Sequence, residues 1–343
     1  MDSTLTKTLS SARQKSERRY TNPSCDPCRP EMVGKEAETG YTPALNGVSR
    51  PREGGCLGGP MTCRELLDDL YVPLRGISER TQNLYHMTLA SYGRHLGCEP
   101  TVEEHLSEIP VARYLSDRMR TRSAATAAKD RSQIRALWEF AARRGLTDQF
   151  PLLRPIRVPE RIPEAWTADE VRRLIEAAGD HEGVFAGVPA GLFFQALIRV
   201  LFDTGERISA VMALRWADVG DGLVTFRAET RKMQTRDVIR GISPPTAAAL
   251  EKIRRPRPLV FVWDRCESNL WRHIGLVNKR AGLPRDRKSK FHRLRKTCAS
   301  YAAAAGLDPQ RLLDHSSPAT TRAYLDPRIV TQRQACDVLP GVG

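Results

Sequence analysis

FHRLRKTCASYAAAAGLDPQRLLDHSSPATTRAYLD, residues 291–326, carries two histidines, an arginine and a tyrosine on what reads as short helices and their caps. His292 and Arg295 are three apart, which on a helix places both side chains on one face, one turn removed and within reach of one ligand. Downstream, Asp314-His315-Ser316-Ser317-Pro318 has the signature of a helix start, with Ser317 as N-cap and Pro318 at the first helical position. His315 therefore lies at a positive helix end. Tyr324 is expected about two turns into that helix, as a candidate oxygen nucleophile with a histidine nearby.

Around this stretch, bulk properties set limits. A chain of 343 residues exceeds the usual size of one domain, so two domains and a tail are expected. The formal net charge of +14 is spread along the chain and favours a polyanion as partner. No apolar run reaches the roughly 18 residues of a membrane span, and the N-terminus lacks the apolar segment of a secretion signal. The eight cysteines are scattered. Cys98, Cys266, Cys298 and Cys336 have no spacing that suggests pairing, so a reducing, cytoplasmic setting is expected. Cys25 and Cys28 form one CxxC, but Cys56 and Cys63 lack metal-ligand spacing, and neither a metal nor a cofactor is expected.

Residues 1–60 hold few large apolar side chains and repeated Pro and Gly, as in PREGGCLGGP at 51–60, and read as a disordered basic arm. From Met61 to Leu153 the pattern is helical. Thr62-Cys63-Arg64-Glu65 has capping-box spacing, and Ser78 caps a helix through Leu84, Met87, Leu89, Tyr92 and Leu96. Ile109–Met119 and Ala124–Arg143 supply two more helices, the last with Lys129, Arg131, Arg135, Arg143 and Arg144 among Ile134, Leu137 and Trp138. Beside a second basic domain, these cations are expected to face the polyanion. FPLLRPIRVPERIPEAW at 150–166 holds four prolines, which makes residues 154–166 an extended linker.

Beyond the linker, TADEVRRLIEAAG begins with a capping box of Thr167 and Glu170, and Gly191–Thr204 is apolar on most sides, as a central helix closed by Gly205 would be. ERISAVMALRWADV reads as a second short helix with Arg207 at its beginning. Leu223–Glu229 and Asp237–Ile242 alternate as strands around a hairpin, TRKMQTR. SPPTAAALEKI and Glu267–Ala281 read as helices, and LVFVW at 259–263 as a short buried strand or extended run. The expected class is mainly α with a small antiparallel β-sheet. A helical domain spans 61–153, and a mixed α+β domain with a C-terminal tail spans 167–343.

Four segments together resemble the tyrosine recombinase family, of the phage integrase type. TGERISAVMALRWADV resembles its first-arginine segment, and RKMQTRDVIRG, with Lys232, its hairpin lysine. HRLRKTCASYAAAAG resembles its His-x-x-Arg segment and LLDHSSPATTRAYLDP its histidine-to-tyrosine segment. Their order and spacing are specific where each alone is weak. The resemblance implies a helical core-binding domain over 61–153 that grips double-stranded DNA, and a catalytic domain over 167–343. It also implies a homotetramer on paired DNA sites that is monomeric or weakly dimeric off DNA.

The implied chemistry is metal-independent cleavage and rejoining of DNA through a 3′-phosphotyrosine on Tyr324. Arg207 and Arg295 clamp the phosphate, Lys232 protonates the leaving 5′ oxygen, His292 acts as acid or base toward Tyr324, and His315 donates to the phosphate. A metal-dependent integrase would need a carboxylate cluster, whereas the acidic residues here lie mainly at helix starts and faces. A type IB topoisomerase shares the chemistry, and a non-catalytic regulator would not need the full residue set. Two positions depart from the family pattern. Ala210 stands where an acidic residue is usual, leaving Glu206 or Asp218 to support Arg207. Asp314 stands where glycine is usual, and is expected to tolerate a left-handed backbone beside His315.

Overall fold

A computed structural model describes residues 59–231, 236–330 and 339. The arm read in residues 1–60 lies, but for its last two residues, outside these, as do Cys25, Cys28, Cys56, Lys232 and most of the C-terminal tail. The described chain is mainly helical with two small antiparallel sheets, and its apolar side chains gather into two cores.

The first core belongs to the helical N-terminal part. Thr62 caps Cys63–Glu65 through the anticipated box: its hydroxyl receives the Glu65 N–H, and the Glu65 carboxylate receives the Thr62 N–H at 2.8 Å. The segment continues through a π-helical stretch, Leu66–Tyr71, into Val72–Arg75. Ser78 caps Glu79–Leu96, which a left-handed Gly97 closes. Here the inward face differs from expectation. Tyr85, Thr88, Leu89 and Tyr92 are buried, while Leu84 and Met87 are exposed. Tyr85, Leu89 and Tyr92, at i, i+4 and i+7, set the rotation, with the Tyr92 ring centroid 5.1 Å from that of Tyr114 of Glu108–Thr121.

Ala124–Ala142 buries Ile134, Leu137 and Trp138 as its periodicity requires. Most of its cations turn to the protein itself. Lys129 pairs with Asp130, Arg131 donates to the Leu153 carbonyl, Arg143 pairs with Glu139, and Arg144 stacks on Phe140. Arg135 is exposed. Asp130 is fully buried under Tyr114, Arg118, Thr88 and Lys129. Burial alone would raise its pKa, but hydrogen bonds from Lys129, Arg118 and Tyr114 outweigh that and hold the carboxyl below its ordinary value.

No helix or strand occurs between Ala142 and Ala168, which fits four prolines that cannot donate backbone hydrogen bonds. Thr167 then caps Ala168–Gly179 with the predicted box. This helix lies against the central Ala190–Thr204 so closely that a Cβ at Gly191 would collide with the Gly179 carbonyl. Phe193, Phe194, Leu197 and Leu201 of the central helix form the second core with Trp166, Phe226, Phe261 and Phe291. A small hairpin, Val184–Phe185 with Val188–Pro189, was not apparent from the sequence because its strands are two residues each.

The larger sheet runs Val219–Gly220, Leu223–Phe226, Val238–Gly241, with Val224 opposite Arg240 and Phe226 opposite Val238. Both expected strands are present but shorter, and Val219–Gly220 adds an unanticipated third. LVFVW forms no strand: one bridge ties Leu259 to Arg215, and the chain bends at the buried Val260 and Phe261. Pro244–Ile253, Glu267–Arg280 and Phe291–Ala304 complete the domain.

Because fully buried Asp130 holds Arg118 and Lys129 together with Tyr114 and Thr88, Asp130→Ala is expected to cost about 3 kcal/mol. Urea unfolding should show a lower midpoint with an unchanged slope. A shift worth under about 1 kcal/mol would mean that the network is peripheral to stability.

Candidate active site

Phe291–Ala304 brings His292 and Arg295 to one end of the second core. Their three-residue spacing gives the shared face read from the sequence, but they differ in burial. His292 opens to solvent, while Arg295 is 1% exposed. The Arg295 guanidinium donates to the Gly205 carbonyl at 2.5 Å and the Leu313 carbonyl at 2.7 Å. Gly205 ends the central helix with φ at +62°, and its carbonyl faces Arg295 because that left-handed turn is open to glycine. Arg295 Nε is buried with no acceptor among the described residues.

His315 is 8% exposed and contacts the same guanidinium, with Nε2 3.4 Å from Arg295 Nη2. A guanidinium only donates, so Nε2 is the unprotonated nitrogen and Nδ1 carries the hydrogen, donated to Thr321 Oγ1 at 3.1 Å. Ser317 caps Pro318–Arg322 as anticipated, with Pro318 at its first position. That helix is shorter than expected. Tyr324 lies just beyond it in a turn, its N–H donated to the Thr321 carbonyl at 2.8 Å. The turn directs the half-buried tyrosine ring between the two histidines, with centroids 4.9 Å from His292 and 4.8 Å from His315. The Arg295 guanidinium carbon is 5.7 Å from the same ring.

Arg207 caps the short Ile208–Met212 helix and is half-buried. Its side chain makes no hydrogen bond or ion pair with the described residues. It contributes to pushing down the His292, Arg295 and His315 pKa values, which puts its charge among theirs. The structure thus gathers Arg207, His292, Arg295, His315 and Tyr324, and Lys232 lies outside the described residues.

Neither candidate carboxylate supports the Arg207 side chain. Asp218 is taken by Arg227, with oxygens 2.7–3.1 Å from its nitrogens. Buried Glu206 receives only the Arg207 backbone N–H, at 3.1 Å, while its oxygens face Arg231 at 2.8 Å and Arg295 at 3.9 Å. Arg231, itself buried, reaches on to Asp314 at 2.8 Å, and Arg236 meets the other Asp314 oxygen at 2.5 Å. Asp314 adopts the anticipated left-handed backbone, φ +53°. Arg231 and Arg236 were legible only as neighbours of Lys232. Their partners lie 25, 83 and 78 residues away, and no local pattern marks such pairs.

Electrostatically the site is short of anions. Arg207, Arg231, Arg240 and Arg295 surround it, while Glu206 and Asp314 are already engaged. Burial, then Arg207, lowers the pKa of Arg295. Burial, Arg295 and Arg207 push His315 down to about 4, against a smaller opposing effect from Asp314. Burial, then Lys296, Arg295 and Arg207, lowers the His292 pKa, although the residue keeps one side open to solvent. Both imidazoles are therefore neutral near pH 7.

Residues 164–329 match the model of the phage integrase family, and residues 67–145 that of the phage integrase N-terminal SAM-like domain. The tyrosine recombinase XerD of Mycobacterium leprae is 30% identical over 292 residues, spanning 75% of this chain and 89% of its own. The tyrosine recombinase XerA of Pyrococcus furiosus is 25% identical over 276 residues, spanning 76% and 88%. Among solved structures, a lambda integrase dimer bound to a COC′ core site superposes with a TM-score of 0.62 at 19% identity, covering 80% of this chain and 98% of that one. A lambda integrase tetramer bound to a Holliday junction gives 0.58 at 20% identity, covering 80% and 79%. At these identities the structural likeness is one of fold.

The lowered His315 pKa has a signed consequence. The unfolded chain takes up this proton near pH 6.5 and the folded chain only near 4, so the contribution is complete above pH 6.5 and is lost as pH falls toward 4. In urea titrations, wild type should lose more stability between pH 7 and 4.5 than His315→Gln, by on the order of 2 kcal/mol. Parallel pH profiles for the two proteins would contradict this.

Proposed function

Because the chain belongs to the phage integrase family of tyrosine recombinases, we propose that its part in site-specific DNA recombination is to cleave and rejoin duplex DNA through a 3′-phosphotyrosine on Tyr324, without a metal. The observation that carries this reading is the placement of Tyr324 between two neutral histidines and against a buried, anion-deficient set of arginines.

In the proposed step, the Tyr324 oxygen attacks the scissile phosphorus as the bond to the 5′ oxygen breaks. His292, held neutral, takes the tyrosine proton, and Lys232 gives one to the leaving oxygen. Total charge is conserved and the phosphodiester energy is kept for religation. Arg207, with no side-chain partner among the described residues, and Arg295, with its unpartnered Nε, supply donors to the non-bridging oxygens. An anion that draws on Arg295 also releases His315 Nε2, which can then take up a proton and donate to the phosphate. The nearby carboxylates, Glu206 and Asp314, are spent on arginines rather than open to an ion. Their engagement supports a charge supply that is protein-borne.

We extend the reading to the whole chain. Residues 61–153 form the core-binding domain, 154–166 the linker and 167–343 the catalytic domain with its tail, acting as a tetramer on paired sites and as a monomer or weak dimer off DNA. No described helix is long and apolar enough to cross a membrane. The proposed setting is cytoplasmic and DNA-associated.

A suicide DNA substrate nicked beside the cleavage point should trap a covalent complex with wild type, in excess EDTA as well as without it. Tyr324→Phe should trap none. Capture by that variant would remove Tyr324 from the role, and loss of wild-type capture in EDTA would contradict metal independence. Lys232 is tested separately with a 5′-bridging phosphorothiolate, whose sulfur leaves without protonation. Lys232→Ala should be slowed by about 10²-fold or more on ordinary DNA and restored on the thiolate. An equal deficit on both would exclude it as the acid.

A further inference from the structure

Asp314 occupies a left-handed turn, φ +53° and ψ +49°, that glycine would adopt with less strain. Its side chain shows what an aspartate adds. One oxygen accepts from Arg231 Nη1 at 2.8 Å and the other from Arg236 Nη2 at 2.5 Å. Arg231 is anchored on its other side by Glu206 at 2.8 Å, in a setting where the Arg231 and Glu206 side chains are 3% and 1% exposed. The Arg231 arm of the clamp is therefore formed largely out of water, where its charges interact strongly, while the Arg236 side chain, 62% exposed, closes it from the surface.

The residues on either side of Asp314 both serve Arg295. The Leu313 carbonyl accepts from Arg295 Nη2 at 2.7 Å, and His315 Nε2 meets the same nitrogen at 3.4 Å. Two residues separated by one can aim a carbonyl and a ring at one nitrogen only if the turn between them holds a fixed conformation. Arg240 adds a further tie to the same turn, donating to the Leu312 carbonyl at 2.5 Å.

We propose that Asp314 is a positioning residue for Arg295: its carboxylate, clamped by Arg231 and Arg236, locks the turn that presents the Leu313 carbonyl and the His315 imidazole to that guanidinium. Without the clamp, Arg231 rests on Glu206 alone and draws that carboxylate away from Arg295, now 3.9 Å from it. Arg295 then keeps its charge but loses its aim. This rests on the reading of Arg295 as a clamp on the scissile phosphate.

The experiment is covalent capture on suicide substrates whose scissile linkage is either an ordinary phosphodiester or a methylphosphonate, in which a methyl group replaces one charged oxygen. Asp314→Gly removes the clamp and relieves the backbone. It should slow capture on the phosphodiester by about 10- to 100-fold, with DNA affinity unchanged and the protein still folded at the assay temperature. On the methylphosphonate, where less charge awaits the arginine, the deficit should disappear. Asp314→Asn, which keeps one of the two acceptor oxygens and tolerates the turn, should fall between, and it stands in if the glycine variant fails to fold. Arg231→Ala combined with Asp314→Gly should be no slower than the slower single variant.

Wild-type capture by Asp314→Gly, an equal deficit on both linkages, or additive effects of the two substitutions would each overturn the proposal. Arg295→Ala separates it from the reading beneath it. If Arg295→Ala is spared on the methylphosphonate and Asp314→Gly is not, the clamp on Arg295 stands and the positioning role falls. If Arg295→Ala is equally impaired on both linkages, the phosphate role of Arg295 fails, and the positioning role of Asp314 fails with it.

Discussion

The Arg295 guanidinium is 1% exposed and must find acceptors inside the protein. Stripping a permanent cation of water costs several kcal/mol unless its hydrogens are met. Much of the site follows from meeting them. The central helix has to stop at a left-handed Gly205 so that its carbonyl faces Arg295. The short helix before Asp314 has to end where the Leu313 carbonyl does the same. His315 has to present an unprotonated nitrogen, which Thr321 secures by taking the hydrogen on the other. Gly205, 90 residues away in sequence, and the Leu313–His315 turn, 18 to 20 residues away, are thus fixed by one side chain.

That arrangement leaves the cation satisfied in geometry more than in charge. Carbonyls and an imidazole carry partial charges, and Glu206, the nearest carboxylate, is 3.9 Å away and closer to Arg231. Arg207 adds a second positive charge, and the pKa values of Arg295 and His315 are both depressed by it. A site held in this state gains most from a bound anion, because the anion supplies what the fold withholds. Burial first, and the same surplus after it, lowers the His292 and His315 pKa values, so in the proposed mechanism the charge that would attract the phosphate also helps to prepare a base beside Tyr324.

What the sequence discloses about this site is what depends on short separations. His292 and Arg295 share a helix face, and Ser317 caps with Pro318 behind it, because spacing of three or four residues and local hydrogen bonds determine both. The length of the helix after Ser317 was not legible, since Tyr324 leaves it to reach the histidines, and tertiary contact overrides propensity there. Arg231 looked like any basic neighbour of Lys232, yet it is buried on carboxylates from two other segments. The cations on and just after Ala124–Ala142 were legible as a basic run but not with their partners: Lys129, Arg131, Arg143 and Arg144 each also contact a group within the protein. Leu84 and Met87 fit a helical period and still face outward, because Tyr85, Leu89 and Tyr92 offer more area to bury.

The backbone of the tyrosine turn is bound to the same helix that carries its histidine and arginine. Ser300, eight residues after His292, accepts the Asp326 N–H at 2.9 Å and faces the Tyr324 carbonyl at 3.4 Å, so the turn is held on both sides of Leu325. Asp326 is 1% exposed, and its carboxylate receives the Ala165 N–H at 2.8 Å and the Arg328 side chain. Ala165 and Trp166 end the proline-rich segment, and Trp166 donates its own N–H to Thr297 on the helix of His292 at 2.8 Å. The last residues of that segment and the turn of Tyr324 are therefore fastened to a common support through buried hydrogen bonds. A pull on one can shift the other only by straining that helix, which makes the end of the proline-rich segment part of what sets the tyrosine in place.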